Sequence, residues 1–426
     1  MAVTIRQQPQ SLTPGFNDII FVVSSTNVAQ TNFQYVCDIY VQNDSGAVTH
    51  AGNSYIREKT PADPVYSSGV FNVSNILRSF LTYDIGDDIF GSQKSTNSVI
   101  QIQCNFGEEY GASSGVVVYP NTAGWGAPDT ATSDIKTIWN GVFDYVDFKD
   151  YLVSQYSNSS ANTTVKLLTN QPATRIIRSG ENAWLYKINT ATNEMGFYYC
   201  YPYTSAGSLT QPCVIRNNFV TINSTGRYMI RYPSGWNLNS IPAADFITGS
   251  QPILTSTVAY YLIFTTNSAY SINSQTYRFN VDTTCTDHTV YRLHFLNKLG
   301  GFDSFSFIKA HTFDTDIKRE SYKRNTTQRI GGGQYGYNKS TVSQVQFLTT
   351  NKDTVKVNSD WIDEDTSTWL EELLTSPVVF LDDATHGLIA VNIVDSKYTR
   401  KQWRTDGLSN LELSFQYGYD RYRQTL

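Results

Sequence analysis

The sequence predicts an all-β protein assembled mainly from antiparallel β-sandwich modules, with one helix near its C-terminal end. Three observations carry this. The chain holds 29 Tyr and 22 Phe against 3 Met, and aromatic residues among abundant Ser, Thr and Asn suit short strands and polar loops better than helices. Apolar side chains recur at every second position over many short stretches, the period of a strand with one buried face. Clusters of Gly, Pro, Asn and Asp punctuate those stretches as turns. At 426 residues the chain exceeds a single small core, and it divides into three expected parts: residues 1–125, residues 126–285 and residues 286–426, the last with a helix near 360–375.

The first part reads as an immunoglobulin-like sandwich. Ile19 to Val23 is a short apolar run suited to a strand covered on both faces. From Phe33 to Val41 the odd positions Phe33, Tyr35, Cys37, Ile39 and Val41 share one face, and Asn43 to Gly46 turns the chain. Val73, Ile76, Leu77, Phe80 and Leu81 recur at helical spacing within Val70 to Leu81, with Ser74 as a candidate cap. Val99 to Phe106 and Gly115 to Tyr119 close the module, and Pro120 to Pro128 looks like a boundary. The second part opens on Ile138 to Tyr145, an apolar patch able to pack on the first module. After the polar loop Ser157 to Thr164 come strand candidates at Arg175–Arg178, Ala183–Ile188, Gly196–Cys200, Arg227–Arg231 and Val258–Phe264, spaced as in a second sandwich or barrel.

The third part begins with the stretch around which the chain is organised. Tyr291, Leu293 and Phe295 alternate with Arg292 and His294, and Phe305 and Phe307 alternate with Ser304 and Ser306. Gly300-Gly301 between them supplies a tight turn, so the whole reads as an antiparallel hairpin with half-buried strands. His311 to Thr341 follows as a long exposed arm in which Lys318, Arg319, Lys323, Arg324, Arg329 and Lys339 sit among acids and Gly331-Gly332-Gly333. These cations do not form a continuous phosphate track, so the arm is expected to order against a neighbouring subunit rather than on nucleic acid. Val345 and Phe347 then alternate in an edge-like strand with little protective charge. Trp369, Leu370, Leu373 and Leu374 line a helix that reaches back towards Trp361, with Thr368 and Glu371 as a capping box for a shorter version and Pro377 as the stop. Val378–Leu381, Gly387–Val394, Tyr398–Trp403 and Leu408–Tyr417 are the closing strands.

Chemistry is sparse. The net charge of −5 is too mild to draw in nucleic acid or anionic lipid by bulk electrostatics. Cys37, Cys104, Cys200, Cys213 and Cys285 form no C-x-x-C pair and read as reduced thiols. A Cys37–Cys104 bridge between sheets would lack its usual Trp, since the first is Trp125. No leader pattern opens the chain and no run approaches the roughly 18 apolar residues of a membrane span, so synthesis and folding in a cytosol and no membrane span are expected. His288, His294 and His311 match no zinc spacing with Asp287, Asp303 or Asp314. Asp360 to Asp365 is explained as the acidic start of a helix, without the glycine and terminal glutamate of a calcium loop. Tyr198, Tyr199, Tyr201 and Tyr203 could stack on sugars, although buried sheet aromatics are the commoner origin of such a run. No catalytic residue, cofactor or metal site is expected.

Several phrases together carry a family likeness. Gly69-Val-Phe-Asn-Val-Ser-Asn-Ile-Leu77, Phe295-Leu-Asn-Lys-Leu-Gly-Gly-Phe-Asp-Ser-Phe305, Trp369-Leu-Glu-Glu-Leu-Leu-Thr-Ser-Pro-Val-Val379 and Leu411-Glu-Leu-Ser-Phe-Gln-Tyr417 resemble virion proteins of tailed bacteriophages that infect Bacteroidetes, including crAss-like phages. The resemblance implies a tail-associated structural protein (hub, ring, distal-tail or baseplate) located in the virion and synthesised in the host bacterial cytoplasm. The order of elements after Val342 is also similar to the tail-tube fold, which implies a tail-tube-like β-sandwich plus one α-helix at the C-terminal end. The partners implied are further copies in a homo-oligomeric ring and other tail or connector proteins, with DNA passing through a lumen without sequence-specific binding. Leu299, Gly300, Gly301, Phe302, Lys318, Arg319, Lys323, Arg324, Arg329, Val345 and Phe347 are the expected inter-subunit residues. The alternative function is a tail-tip adhesin that binds host surface polysaccharide.

Overall fold

The computed structural model describes residues 3–42, 55–85, 93–95, 98–111, 117–119, 129–156, 165–189, 197–215, 228–266, 271–284, 287–337, 339–340, 342–395, 409–419 and 421–422. It is an all-β structure of several mostly antiparallel sheets with a few short helices. The chain divides into two units: residues 1–284 together with Leu296–Asp303, and Cys285–Phe295 together with Ser304–Leu426.

The first unit contains two cores. In one, a three-stranded sheet of Val3–Gln7, Ile20–Ser25 and Ser68–Asn72 shares its apolar face with a sheet containing Leu12–Pro14, Gln34–Gln42, Ile56–Pro61, Val99–Glu109 and Lys136–Trp139. Phe106 marks the join, its ring 5.4 Å from Phe21 and 5.6 Å from Phe71. The predicted alternation of Phe33 to Val41 is present, but the opposite face is covered too. Asp38 is buried there and accepts two hydrogen bonds from Arg57, at 2.7 and 2.9 Å. Two expectations are corrected. Ile138 and Trp139 do not open a second module, because Lys136–Trp139 completes the first sandwich, antiparallel to Val99–Glu109 and parallel to Leu12–Pro14. The helix is only Ser74–Arg78, with Val73 at its N-cap and no side-chain cap, since Ser68–Asn72 is committed to the sheet. Pro120 to Pro128 lies outside the described residues.

The second core lies between a six-stranded sheet, which runs from Thr174–Arg178 to Phe246–Thr248, and a smaller one of Trp184–Asn189, Tyr228–Pro233 and Gln93–Ser95. This is a sandwich, and its smaller sheet borrows Gln93–Ser95 from the N-terminal part of the chain. Cys37, Cys104, Cys200 and Cys213 are buried free thiols. Cys200 and Cys213 sit directly opposite each other on neighbouring strands, and burial pushes the Cys213 thiol up to about 11. Cys285 lies outside the described residues.

The second unit is one sheet wrapped on a helical segment. Its strand order is Phe302–Phe307, Tyr291–Leu296, Val379–Asp383, Gly387–Ile393, Glu412–Tyr417, Gln344–Asn358, Thr312–Lys323. Val355, Val357, Leu413 and Phe415 pack with Trp369, Leu370 and Leu373 of the helices Glu364–Trp369 and Glu371–Thr375. The Phe295 ring lies 5.6 Å from that of Trp369. The start of the helix is set by Asp363, whose carboxylate accepts from the Thr366 amide at 2.9 Å, with Glu364 and Asp365 in the first turn where the helix dipole favours anions. Thr368 and Glu371 form no capping box, because the Thr368 hydroxyl donates back to the Glu364 carbonyl. The strand expected at Tyr398–Trp403 lies outside the described residues.

Both flanks of the central hairpin are strands, yet the one at Tyr291–Leu296 is buried on both faces. Arg292 donates to the Ser306 hydroxyl at 2.7 Å. His294, fully buried, hydrogen-bonds Ser304 Oγ at 2.7 Å through Nδ1 and approaches Asp382 at 3.3 Å through Nε2. The hydrogen bond with His294, helped by the charge of Arg292, holds the Asp382 carboxyl below the usual carboxylate range. Asp382→Asn is expected to cost about 1–3 kcal/mol of stability at pH 7, because a buried polar network loses its charged member. A depressed carboxyl stabilises above the unfolded value of about 3.9 and loses that contribution as pH falls through the folded value. Urea titrations should therefore separate the variant from the parent most at pH 7, with the gap narrowing as pH is lowered below about 3.9.

Candidate assembly surface

The turn of the central hairpin is not a surface. Leu296–Asp303 belongs to the first unit, and Leu299 and Phe302 are buried there. Asn297 organises it: Oδ1 accepts from the amides of Leu299 and Gly301, both at 3.0 Å, and Nδ2 donates to the Leu168 carbonyl at 2.9 Å. Gly300 has φ +86°, and a Cβ there would lie 1.7 Å from the Asn140 carbonyl oxygen, while one at Gly301 would meet Tyr186 and the Leu168 carbonyl. Phe302 packs edge-on to Tyr83, ring centroids 5.8 Å apart. Leu299, Gly300, Gly301 and Phe302 are thus taken up inside the chain, a correction to their assignment as inter-subunit residues. The sequence signal, two adjacent glycines beside aromatics, marks close packing within the chain equally well.

The remaining expected residues lie on a β-ribbon arm. Thr312–Lys323 pairs antiparallel with Gln344–Asn358, and every residue of Thr312–Lys323 is exposed. Beyond it a smaller ribbon, Thr327–Gly331 paired with Gln334–Tyr337, forms the tip. Gly331, Gly332 and Gly333 turn the tip with φ of +99°, +60° and +79°, a run of left-handed backbone that side-chain-bearing residues resist. Lys318, Arg319, Lys323, Arg324 and Arg329 are all exposed along this arm. Val345 is half-buried and Phe347 exposed, both on Gln344–Asn358. Arg324 sits where shaft meets tip, its amide and side chain donating to the Ser343 and Val342 carbonyls. Both strands of the shaft are edges: Thr312–Lys323 bounds the sheet, and the Val345–Phe347 stretch pairs with no strand but Thr312–Lys323 among the described residues, as its edge-like pattern implied. Thr312–Lys323 carries Asp314, Asp316, Lys318, Arg319, Glu320 and Lys323. Such charges block indiscriminate edge pairing and select particular partners.

The arm also exposes more apolar surface than a solvated ribbon tolerates. Phe313, Ile317, Tyr322, Phe347 and Leu348 are exposed on the shaft, and Tyr335 and Tyr337 at the tip are 73% and 79% exposed. Tyr335 faces Arg329 across the ladder, and Tyr337 faces Thr327. Sequence reasoning missed the tyrosines because Gly-rich context read as plain loop.

A groove of about 270 Å³ opens at the root of the arm, among Phe313, Asn351, Asp353, Asp383, Tyr417 and Tyr419. It continues the core-facing side of the sheet outward, since Val355 pairs with Phe313 on one neighbour and with Phe415 on the other. The Asp353 carboxylate accepts from the Thr315 hydroxyl at 2.9 Å. Asp383 Oδ1 accepts from the His386 and Thr385 amides, each at 2.8 Å, and these bonds hold its carboxyl below the ordinary range. Asn351 is 3% exposed and its Oδ1 has no hydrogen-bond partner among the described residues. No sequence signal marked this groove, whose walls come from five separate strands and a turn.

The other residues weighed for chemistry are dispersed. His294 is engaged with Ser304 and Asp382, Asp303 accepts from the Thr169 hydroxyl, and His288 and Asp314 are exposed. Among the described residues no three His, Cys, Asp or Glu side chains are grouped as a metal site would require. Tyr198 belongs to the second core of the first unit, stacked on Tyr232 at 4.9 Å, and Tyr199, its neighbour on the same strand, is buried outside that core and stacked on Phe264 at 5.0 Å. No helix among the described residues is long and apolar enough to cross a membrane. Compared with models of known protein families and with curated proteins, the chain matches none.

Proposed function

We propose that this chain is a non-enzymatic structural protein of a bacteriophage tail, a hub, ring, distal-tail or baseplate component, that assembles with copies of itself into a symmetric ring. The observation that carries the reading is the arm: a fully exposed strand of 12 residues, roughly 40 Å long at strand rise, bearing aromatic and branched side chains on a two-stranded ribbon. Such ribbons are marginal alone in water, and exposed apolar surface on this scale marks interaction sites. The four virion-like phrases of the sequence support the tail context. Of the four tyrosines that could stack on sugars, Tyr198 and Tyr199 are buried and Tyr201 and Tyr203 half-buried, so the glycan-binding alternative rests on the latter two.

The test is the native mass of the full chain. A discrete oligomer is expected at micromolar concentration by sedimentation velocity or mass photometry. Tyr322→Ser combined with Phe347→Ser removes two exposed rings that lie 6.1 Å apart. This pair should dissociate the oligomer while shifting stability by no more than about 0.5 kcal/mol per site, the usual range for surface changes. A parent chain that stays monomeric at all accessible concentrations overturns the reading.

A further inference from the structure

We infer that Lys187 and Asn273 are a modification site: the lysine amine displaces ammonia from the asparagine carboxamide, and the new amide ties together the two sheets around the second core of the first unit. The cross-link does not depend on assembly. Lys187 follows Ala183 and Leu185 at period two on the core-facing side of its strand, and Thr265 follows Tyr261 and Ile263 in the same way on the other sheet. The lysine thus occupies a position that the alternation reserves for apolar side chains. Lys187, Thr265 and Asn273 are each at most 4% exposed. Lys187 Nζ lies 3.1 Å from Asn273 Oδ1 and 3.3 Å from Thr265 Oγ1, and the Thr265 hydroxyl donates to the same Oδ1 at 2.7 Å. The backbone fixes Asn273 at both ends: its amide donates to the Thr265 carbonyl at 2.9 Å, and its carbonyl accepts from the Val165 amide at 2.8 Å. Asn273 Nδ2 is buried without an acceptor among the described residues.

These positions supply each part of an acyl transfer. The attack requires the neutral amine, the form that exclusion from water favours. Nζ bonds to the side-chain carbonyl carbon of Asn273, and the electron pair pushed onto Oδ1 is stabilised by the Thr265 hydroxyl that already donates there. Thr265 Oγ1, which accepts from Nζ, relays a proton from that nitrogen towards Nδ2. The bond from carbon to Nδ2 then breaks, Nδ2 leaves as ammonia, and a secondary amide remains. One chain goes in, and one cross-linked chain and one ammonia come out. Holding the amine against the carboxamide replaces much of the activation that an amide otherwise needs. The reaction also removes Nδ2, a buried donor that is costly to leave unpaired. The product joins residues 86 apart in sequence, which restricts the unfolded chain and keeps the two sheets from parting.

The test is the intact mass of the purified full chain, denatured before measurement. It should fall one ammonia, about 17 Da, below the mass of the sequence, and digestion should release one branched peptide containing both Lys187 and Asn273. Lys187→Arg should abolish the deficit. Thr265→Ser should keep it, whereas Thr265→Val should slow its appearance in freshly refolded chain by roughly tenfold or more. If a variant fails to fold, the peptide map of the parent decides alone. A parent that keeps its full mass after prolonged incubation in the folded state overturns the inference. So does a deficit confined to one linear peptide, the product of a cyclic imide formed between Asn273 and the Ser274 amide.

Discussion

Gly300→Ala is expected to destabilise the first unit by about 3 kcal/mol or more, at the upper end of what one methyl group can do. Two costs coincide. The backbone at Gly300 has φ +86°, which for an L side chain costs about 1–2 kcal/mol by itself. The added Cβ would also lie 1.7 Å from the Asn140 carbonyl oxygen, and a backbone atom cannot swing aside as a side chain does. Either the turn or the Asn140 segment must move, and moving the turn breaks the bonds that Asn297 makes to Leu299, Gly301 and Leu168. Gly387→Ala is the control: φ is +73° there too, but nothing lies within 4 Å of a Cβ. Chemical denaturation followed by intrinsic fluorescence should show the control losing only the backbone cost. Equal losses in the two variants would mean that the turn is not packed as described.

Trp139→Ala is expected to cost about 3–5 kcal/mol, the range for emptying a large aromatic site. Trp139 is fully buried, its ring centroid 6.1 Å from Phe143, 5.8 Å from Tyr151 and 6.1 Å from Tyr156. A cavity there would be walled by rings that belong to different segments and cannot all collapse inward. Trp139→Phe separates packing from polarity. The indole Nε1 is buried without an acceptor among the described residues, so phenylalanine loses ring volume but also removes an unpaired donor. Its loss should be less than half that of the alanine variant in parallel urea titrations. A loss below about 1 kcal/mol for Trp139→Ala would sink the claim that these four rings form one packed cluster.

Local periodicity made strands and turns legible, and long-range partnership was not. The odd positions of Phe33 to Val41 and of Tyr291 to Phe295 announced strands correctly, because a buried face leaves a period-two trace. The same trace cannot say what covers the other face. Asp38 and His294 look solvated in sequence and are buried because Arg57, Ser304 and Asp382 satisfy them. Lys136–Trp139 was misassigned because a four-residue strand carries no sign of which sheet it will join. The arm was visible as a charged, Gly-punctuated stretch, and its cations lie where they were expected. Its groove was not visible, since Phe313, Asp353, Asp383 and Tyr419 come together only through sheet order. Gly300-Gly301 shows the ambiguity at its sharpest: one dipeptide signals a free turn or a tightly packed one, and only the neighbouring Asn140 carbonyl decides between them.

The membership of Leu296–Asp303 in the first unit, while the strands on either side run into the second, bears on how the polypeptide matures on the ribosome. After residue 284 has been synthesised, the N-terminal body still lacks its plug, and the space around Asn140, Leu168 and Tyr186 stays open until the eight residues of the loop have cleared the exit tunnel. Fragments for biophysical work should accordingly be cut after Asp303 rather than at the apparent border near 284.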